Sequence, residues 1–340
     1  MKIAYVLADP ERNGGNKVAF QHAELLRGLG HAVSVAGEGE RPAWAAFGGP
    51  YVDLSAGGTL PSQDLLLATF WTTIRRAQAL DAGPVAHFCQ GYEGALEHLQ
   101  PALAEIEAAY REALPALIVA PHLAAFLGER FGRACALAPP PLDPLFRPVQ
   151  PIRRFRPSRS PWIAVPGIFE APVKGVRTAL EAIARLRARG LKARLLRFSF
   201  LPASEEEAGL LASDRYLCGV PPEEVARQLA ACDLLLFPSL EGEGFGLPLL
   251  EAMASGVPAV ASAIPSARFI GGGAVPLVPP GDVEAMTAAA ESLLGDPRAW
   301  RRARREGLLA AERFRPQNVA ALLDGAVSWA ARKAAESGRR

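Results

Sequence analysis

Two glutamates eight positions apart, Glu243 and Glu251, have the setting that most clearly suggests chemistry. The first lies in a glycine-rich loop, residues 241–246, which follows the apolar run Leu234–Phe237. That run predicts a buried strand. Pro248 suits the first position of a helix, where its missing N–H group costs nothing. The pattern therefore predicts a strand, a glycine loop and a helix, with one carboxylate on the loop and one on the helix.

This arrangement favours a site for a nucleoside diphosphate. The free N–H groups of Gly246 and Leu247 at the helix start, together with the helix dipole, attract an anion. Glycines let the loop backbone approach a phosphate closely because they carry no side chain. Glu251, one turn into the helix, can accept the hydroxyl groups of a ribose, as acidic residues do in other nucleotide sites.

The first half of the chain alternates strands with helices. Apolar runs recur at Ile3–Ala8, His31–Ala36, Asp64–Thr69, Val85–Cys89 and Leu117–Ala120. Continuous apolar runs that alternate with helices are typical of parallel strands covered on both faces. This half is therefore predicted to form a doubly wound parallel sheet.

The same plan starts again after a proline- and arginine-rich segment, Arg147–Pro161, which is the predicted linker. A strand at Trp162–Val165, a helix at Val176–Gly190 and a strand at Ala193–Ser199 follow. We predict an α/β protein of two doubly wound, Rossmann-like domains that face each other across a cleft. The predicted parts are residues 1–150, residues 151–316 and a final helix, residues 317–340, that packs back toward the first domain.

Charge and composition exclude several classes of protein. Residues 1–150 hold 11 Lys and Arg against 15 Asp and Glu, a net of −4, and the remainder holds 26 against 20, a net of +6. A basic excess this small suits an anionic small ligand but not a duplex nucleic acid. No apolar stretch reaches the length of about 18 residues that a membrane span needs. We expect a cytoplasmic protein that makes at most peripheral membrane contact and does not bind nucleic acid.

Other site chemistries lack their motifs. No Gly-x-Gly-x-x-Gly follows either first strand and no Walker loop is present, which disfavours dinucleotides and ATP. The sequence contains no Asp-x-Asp motif. None of its His and Cys residues form a cluster with the spacing of metal ligands. The four cysteines form no C-x-x-C pair, so we predict reduced thiols, no metal and no cofactor.

The segment Phe237–Pro258, with its Glu-x7-Glu spacing, resembles the retaining glycosyltransferases of family four, whose two Rossmann-like domains (the GT-B fold) need no metal. The resemblance implies that Glu243 holds hydroxyls of the transferred sugar and that Glu251 binds the ribose. It also implies that Gly246 and Leu247 donate N–H groups to the diphosphate or sugar. Residues 1–150 would then bind the acceptor and residues 151–316 the nucleotide-sugar donor.

Further positions match the family outside this segment. Gly14 and Gly15 resemble a glycine turn beside the donor diphosphate, and Lys174 with Gly175 resembles a Lys-Gly pair that binds it. His87, in the segment His87–Glu93, resembles a residue near the donor sugar, although a histidine satisfied at a strand end is the alternative. The resemblance therefore implies Glu243, Lys174 and His87 as catalytic residues.

The sequence departs from the family at one position. The family usually places an arginine after the glycine that ends the first strand of the second domain, and Ile168 stands there. A substitute cation is therefore expected to partner Lys174, and the candidates are Lys17, Arg177 and Arg197.

The expected function is transfer of a sugar, with its anomeric configuration retained, from a nucleoside diphosphate sugar to a hydroxyl of a carbohydrate or lipid-linked acceptor. The setting is glycan, glycolipid or cell-surface polysaccharide synthesis. Two alternatives stay open at this point. One is a non-hydrolysing nucleotide-sugar 2-epimerase, and the other is a non-catalytic nucleotide-sugar-binding subunit.

Overall fold

A computed structural model describes residues 1–148 and 160–337 of the chain. These residues form two compact units: Met1–Pro141 together with Pro316–Arg340, and Leu142–Arg315. Residues 149–159, most of the predicted linker, lie outside the described residues. The N-terminal part of the first unit ends at Pro141, before the predicted boundary at residue 150.

The first unit contains a seven-stranded parallel sheet with the order β3-β2-β1-β4-β5-β6-β7. Its strands are β1 (Lys2–Val6), β2 (Ala32–Gly37), β3 (Tyr51–Asp53), β4 (Leu65–Ala68), β5 (Val85–Cys89), β6 (Ala116–Ile118) and β7 (Cys135–Leu137). Its first four helices are α1 (Gly14–Gly28), α2 (Trp71–Ala79), α3 (Leu103–Tyr110) and α4 (His122–Phe131), with 3-10 turns at Glu93–Ala95 and Glu97–Ala102. Strands β1, β4 and β5 are almost wholly buried, as continuous apolar runs predict.

The second unit contains a six-stranded parallel sheet with the order β10-β9-β8-β11-β12-β13. Its strands are β8 (Trp162–Pro166), β9 (Arg194–Ser199), β10 (Arg215–Cys218), β11 (Leu234–Phe237), β12 (Ala259–Ser262) and β13 (Leu277–Val278). Its helices are α5 (Val176–Ala188), α6 (Glu205–Leu210), α7 (Pro222–Ala230), α8 (Leu247–Ala254), α9 (Pro265–Gly271), α10 (Val283–Gly295) and α11 (Pro297–Ala311), with 3-10 turns at Pro172–Lys174 and Glu312–Phe314.

The last helix, α12 (Pro316–Ser337), belongs to the first unit, where it contacts α1 and strands β4 to β7. His31 Nε2 lies 2.8 Å from Asp324 Oδ1, which joins the start of β2 to this helix. The chain leaves the first unit near Pro139, whose carbonyl is 3.0 Å from His22 Nε2 on α1. One unit is therefore built from both ends of the sequence.

The core of the second unit lies between its sheet and the helices α5 and α10. Leu180 and Ile183 of α5 are fully buried. Trp300 of α11 is also fully buried, and its Nε1 donates to the Asp233 carbonyl over 2.7 Å. This hydrogen bond fixes α11 to the residue that precedes β11.

Candidate functional site

Two loops of the second unit leave the carboxyl ends of neighbouring strands. β8 and β11 pair in parallel, so the loop after Pro166 and the loop after Phe237 emerge at the same edge of the sheet. The Leu240 N–H donates to the Val173 carbonyl over 2.8 Å and ties the loops together. This edge is where a ligand of an open α/β sheet is expected.

The loops bring Lys174 and Glu243 into an ion pair. Lys174 Nζ lies 2.8 Å from Glu243 Oε2, and Ser239 Oγ donates to the same oxygen over 3.0 Å. The Glu243 side chain is 10% exposed, whereas that of Lys174 is 37% exposed. The carboxylate is therefore held from two sides, and the ammonium group keeps an open side toward solvent.

Gly175 lies at a close approach of the two loops. Its φ is +58°, and a Cβ added there would lie 2.1 Å from the Pro238 carbonyl oxygen. Only glycine combines this left-handed conformation with so close a backbone contact. The residue that follows Lys174 thus sets how near the lysine comes to the loop of Glu243.

Gly175→Ala is expected to lower the thermal midpoint by more than the matched variant Gly190→Ala. Both glycines have positive φ, but a Cβ at Gly190 meets nothing within 4 Å. Each of the two variants therefore costs about 1–2 kcal/mol of backbone strain. Only Gly175→Ala also pushes two loops apart. Differential scanning calorimetry of both variants measures the difference. Equal midpoints would show that the close approach at Pro238 does not matter.

Helix α8 starts directly behind the loop of Glu243. Gly246 caps it with a φ of +102°, and a Cβ there would lie 2.8 Å from the ring of Phe237. Pro248 is the second residue of α8, where its missing N–H leaves no bond unmade. No carboxylate lies in the first turn of α8, so its positive end remains available to an anion.

Glu251 is the fifth residue of α8 and is only 9% exposed. It lies just over one turn into the helix, as the spacing predicts. The structure thus places Lys174, Glu243, Gly246, Leu247 and Glu251 on two loop–helix junctions of the second unit. Their roles in binding stay predictions.

The cation expected to replace the family's arginine is not Arg197. Its guanidinium is fully buried and donates to Glu207 Oε1 over 2.6 Å, to the Val165 carbonyl over 2.6 Å and to the Gly167 carbonyl over 2.8 Å. Because these partners enclose the group, the prediction for Arg197 is wrong. Arg177 pairs with Glu206 at the surface.

The predicted glycine turn of the first unit is the first turn of α1. Gly14 and Gly15 open this helix, and Asn13 caps it by accepting the Asn16 N–H over 2.8 Å. The Gly15 carbonyl accepts a hydrogen bond from Gln90 Nε2 over 3.1 Å. Gln90 follows β5, so this contact fixes the start of α1 against the end of a neighbouring part of the sheet.

His87 lies in the middle of β5 and is fully buried. Its Nδ1 lies 3.0 Å from Arg133 Nη1, and its ring packs edge-on against Tyr110. Burial lowers the pKa of His87 well below its usual value, and the Arg133 charge adds to this effect. A neutral, enclosed imidazole is a packing element, so we leave His87 out of the proposed catalytic set.

Glu93 contacts Tyr110, the residue that packs on His87, and is an unusual buried acid. The Tyr110 hydroxyl lies within hydrogen-bond distance of two acceptors, Glu93 Oε2 and, at 2.9 Å, the Gly91 carbonyl. Burial raises the pKa of Glu93 to about 7, and the hydrogen bond from Tyr110 opposes this rise. The loop between β5 and α3 is therefore pinned by a carboxyl group that ionises close to neutral pH.

Glu93→Gln is expected to gain stability relative to the parent chain as the pH rises. In the folded chain Glu93 keeps its proton up to about pH 7, while an ordinary glutamate ionises near 4.5. Between pH 4.5 and 7 the folded state therefore binds more protons than the unfolded state. The contribution of Glu93 to the free energy of unfolding falls across this range and is constant above pH 7. The difference in free energy of unfolding between Glu93→Gln and the parent should grow by up to about 3 kcal/mol.

The measurement is denaturant unfolding of the variant and the parent at pH 5 and pH 8. Burial lowers the pKa of His22 to about 4, which makes the parent lose stability as the pH falls from 6.5 to 4. The comparison of variant with parent removes this opposing effect because both chains carry His22. Glu97→Gln, at an exposed position close by, serves as the control. If variant and parent differ in free energy of unfolding by the same amount at pH 5 and pH 8, the raised pKa of Glu93 is contradicted.

Among residues 1–148 and 160–337, no three His, Cys, Asp or Glu side chains come together as a metal site. Within the same ranges, no helix has both the length and the apolar composition needed to cross a membrane.

Sequence reasoning missed three groups at the candidate site. Ser239, which holds Glu243, stands four residues before it, and its position after a strand is the signal that could have found it. Gln90 and Glu207, which bind Gly15 and Arg197, carry no local signal because each contacts a residue of another element.

The segment that contains the candidate site matches the model of a known protein family. Residues 160–296 match the family model described as glycosyl transferases group 1. A curated relative, the MMP alpha-(1->4)-mannosyltransferase of Mycolicibacterium hassiacum, is 39% identical over 161 residues, 45% of this chain and 39% of that protein. The phosphatidyl-myo-inositol mannosyltransferase of Mycolicibacterium smegmatis is 36% identical over 135 residues, 38% of this chain and 35% of that protein. These matches thus span less than half the length of the relatives.

A likeness in fold alone covers almost the whole chain. Anabaena HepE, solved in complex with UDP-glucose, aligns with a TM-score of 0.76 over 96% of this chain and 99% of that one, at 17% sequence identity. The predicted fold class, two doubly wound Rossmann-like α/β domains, is confirmed. Residues 160–296, the segment that matches the glycosyl transferases group 1 model, hold Lys174, Glu243 and Glu251.

Proposed function

We propose that this chain moves a glycosyl group from a nucleoside diphosphate sugar to a hydroxyl of a carbohydrate or lipid-linked acceptor. We further propose that the transfer retains the anomeric configuration and needs no metal ion. The observation that carries the proposal is the Lys174–Glu243 ion pair, 2.8 Å long, at the carboxyl ends of β8 and β11 beside the start of α8. It sets a cation, a carboxylate and a helix N-terminus at one edge of the sheet.

The chemistry follows from charge. The bond between the anomeric carbon and the diphosphate breaks as the acceptor oxygen bonds to that carbon on the same face. Negative charge then develops on the departing diphosphate, where Lys174 and the N–H groups of Gly246 and Leu247 stabilise it. The acceptor proton passes to an oxygen of that diphosphate, so no protein base is needed. Glu243 holds the sugar hydroxyls and Glu251 the ribose.

Gly14 and Gly15 belong to this proposal as backbone contacts of the diphosphate. Helix α1 begins at Gly14, and the hydrogen bond from Gln90 to the Gly15 carbonyl holds its first turn in place. The N-terminus of α1 presents the same kind of positive end as that of α8. Both glycines keep the backbone open to a phosphate because neither has a side chain.

A mannosyl donor is the first candidate for the sugar. The two curated relatives described above are named as mannosyltransferases and share 39% and 36% identity with this chain over 161 and 135 residues. The HepE structure holds UDP-glucose, which makes a glucosyl donor the second candidate. A screen of GDP-mannose against UDP-glucose, read out as thermal stabilisation, separates these candidates because a bound ligand raises the midpoint.

Glu251→Gln is expected to weaken binding of the preferred donor at least tenfold, since a ribose-binding carboxylate contributes charge-assisted hydrogen bonds. Isothermal titration calorimetry measures the dissociation constant. Glu241→Gln, at an exposed position near the start of the same loop, is the control. Unchanged affinity in the Glu251 variant would refute the site assignment.

Product analysis tests the reaction itself. With donor and a matched acceptor, the proposal expects a glycosylated acceptor with the anomeric configuration of the donor, and release of the nucleoside diphosphate. With donor alone, it expects no isomer of the donor sugar, whereas an epimerase would form one. A binding subunit would give no turnover in either mixture.

A further inference from the structure

Helix α11 has two opposite faces. The face toward the core packs on α8, α9 and α10 and is formed by buried side chains. Those residues are Trp300, Ala303, Arg304, Gly307 and Ala311. The helix is therefore fixed to the second unit along its whole length, and its other face is directed to solvent.

The outer face carries a row that we call the arginine stripe: Arg298, Arg301, Arg302, Arg305 and Leu309. All five residues are exposed, and Leu309 retains 64% of its accessible surface. Their spacing of three, four, seven and eleven residues from the first one places them on one side of a helix. The stripe is about 16 Å long at the rise of an α-helix.

The charges of the stripe lack partners within residues 1–148 and 160–337. None of the four guanidinium groups pairs with a carboxylate or donates a hydrogen bond there, whereas Arg177, Arg185, Arg187 and Arg189 each do so at the α5 side of the unit. Helix α11 holds five arginines and one acidic residue, Glu306. Two pairs of stripe arginines are four residues apart, and like charges at this spacing repel. An anionic partner would relieve that repulsion.

Leu309 indicates which kind of anion fits. A row of basic side chains suits any polyanion, but an exposed leucine in the same row gains free energy only where an apolar phase lies beneath the charges. A lipid bilayer offers both, because its headgroup phosphates lie above its acyl chains. Clusters of four or more arginines on one helix face are typical of surfaces that bind anionic lipids.

We propose that the arginine stripe docks the second unit on an anionic lipid bilayer. The four guanidinium groups bind headgroup phosphates, and the Leu309 side chain enters the boundary with the acyl chains. The proposal goes beyond the reaction proposed above and does not depend on it. Because α11 packs on α8, docking holds the helix of Glu251 at a fixed distance from the lipid surface.

Co-sedimentation of the full chain with vesicles tests the proposal. Vesicles of phosphatidylcholine with 30% phosphatidylglycerol (about one anionic lipid in three) are compared with pure phosphatidylcholine. We expect the chain to bind only the anionic vesicles and to dissociate as salt rises. The variant R298Q/R301Q/R302Q/R305Q should bind at least tenfold more weakly.

A charge-matched variant separates the stripe from net charge. R177Q/R185Q/R187Q/R189Q also removes four positive charges, but each of these arginines already has a carboxylate partner. It should keep vesicle binding within twofold of the parent, with thermal midpoints confirming that both quadruple variants are folded. An equal loss in both variants, or no binding by the parent, would overturn the proposal.

Leu309→Gln separates a bilayer from another polyanion. We expect at least threefold weaker binding to the anionic vesicles and unchanged retention on heparin, which has charge but no apolar interior. If Leu309→Gln leaves vesicle binding unchanged, the stripe is a general polyanion surface and the bilayer proposal fails.

Discussion

Lys174→Met is expected to lower kcat/KM for sugar transfer by roughly 100- to 1,000-fold, the usual effect of removing one group that stabilises developing charge. The lysine is 37% exposed, and its ammonium group touches Glu243 Oε2 over 2.8 Å. That contact fixes the nitrogen at the edge of the sheet where α8 begins. Methionine keeps the length of the side chain, so the variant removes the charge and little of the packing.

The effect should fall mainly on kcat, because charge on the diphosphate grows as the bond to the sugar breaks. Steady-state kinetics with the preferred donor and a matched acceptor measures both parameters. Lys192→Met, at an exposed position of the same unit, is the matched control and should keep parental kinetics. If Lys174→Met retains more than a third of the parental kcat/KM, Lys174 is not the cation that serves the leaving group.

Local segments of this fold could be predicted because each one carries its own pattern. The strand at Leu234–Phe237 is found as predicted, and the helix predicted from Pro248 begins one residue earlier, at Leu247. The reason is that an apolar run, a glycine-rich loop and a proline near the helix start all act within a few residues. Strands β3, β7, β10 and β13, which have two to four residues each, were missed.

Contacts between segments were harder to predict. Lys174 and Glu243 are 69 residues apart, and they meet because β8 pairs with β11 on one side, while its neighbour in the sequence, β9, pairs on the other side. The alternation of strands and helices indicates a parallel sheet but does not give the order of its strands. Only the resemblance to a family suggested that both residues serve one site.

Arg197 shows the opposite error, where a chemically suitable residue proved to be structural. An arginine inside the run Leu195–Ser199 near the end of a strand looks like a phosphate ligand in the sequence. The carboxylate that binds it, Glu207, lies on α6, and no sequence pattern indicates that this glutamate is only 2% exposed. Burial depends on how α6 packs, which is decided by the tertiary structure.

Arg197→Met is therefore expected to destabilise the second unit by about 3–5 kcal/mol, because it leaves the Glu207 carboxylate buried without its cation. Glu207 Oε2 already has no hydrogen-bond partner in the described part of the chain, so the variant strips the last strong contact from this group. The Val165 and Gly167 carbonyls at the end of β8 lose their donors as well. A loss of this size corresponds to a fall in thermal midpoint of about 10 °C.

The double variant Arg197→Met/Glu207→Leu decides whether the buried charge is the cause. Replacing both partners by apolar residues removes the unpaired carboxylate, so most of the lost stability should return. Unfolding in urea, measured for the parent, both single variants and the double variant, gives the coupling energy of the pair. Arg177→Met breaks the exposed pair with Glu206 and should cost less than about 1 kcal/mol. If the double variant is no more stable than Arg197→Met alone, the arginine stabilises β8 through its two carbonyl contacts and not through Glu207.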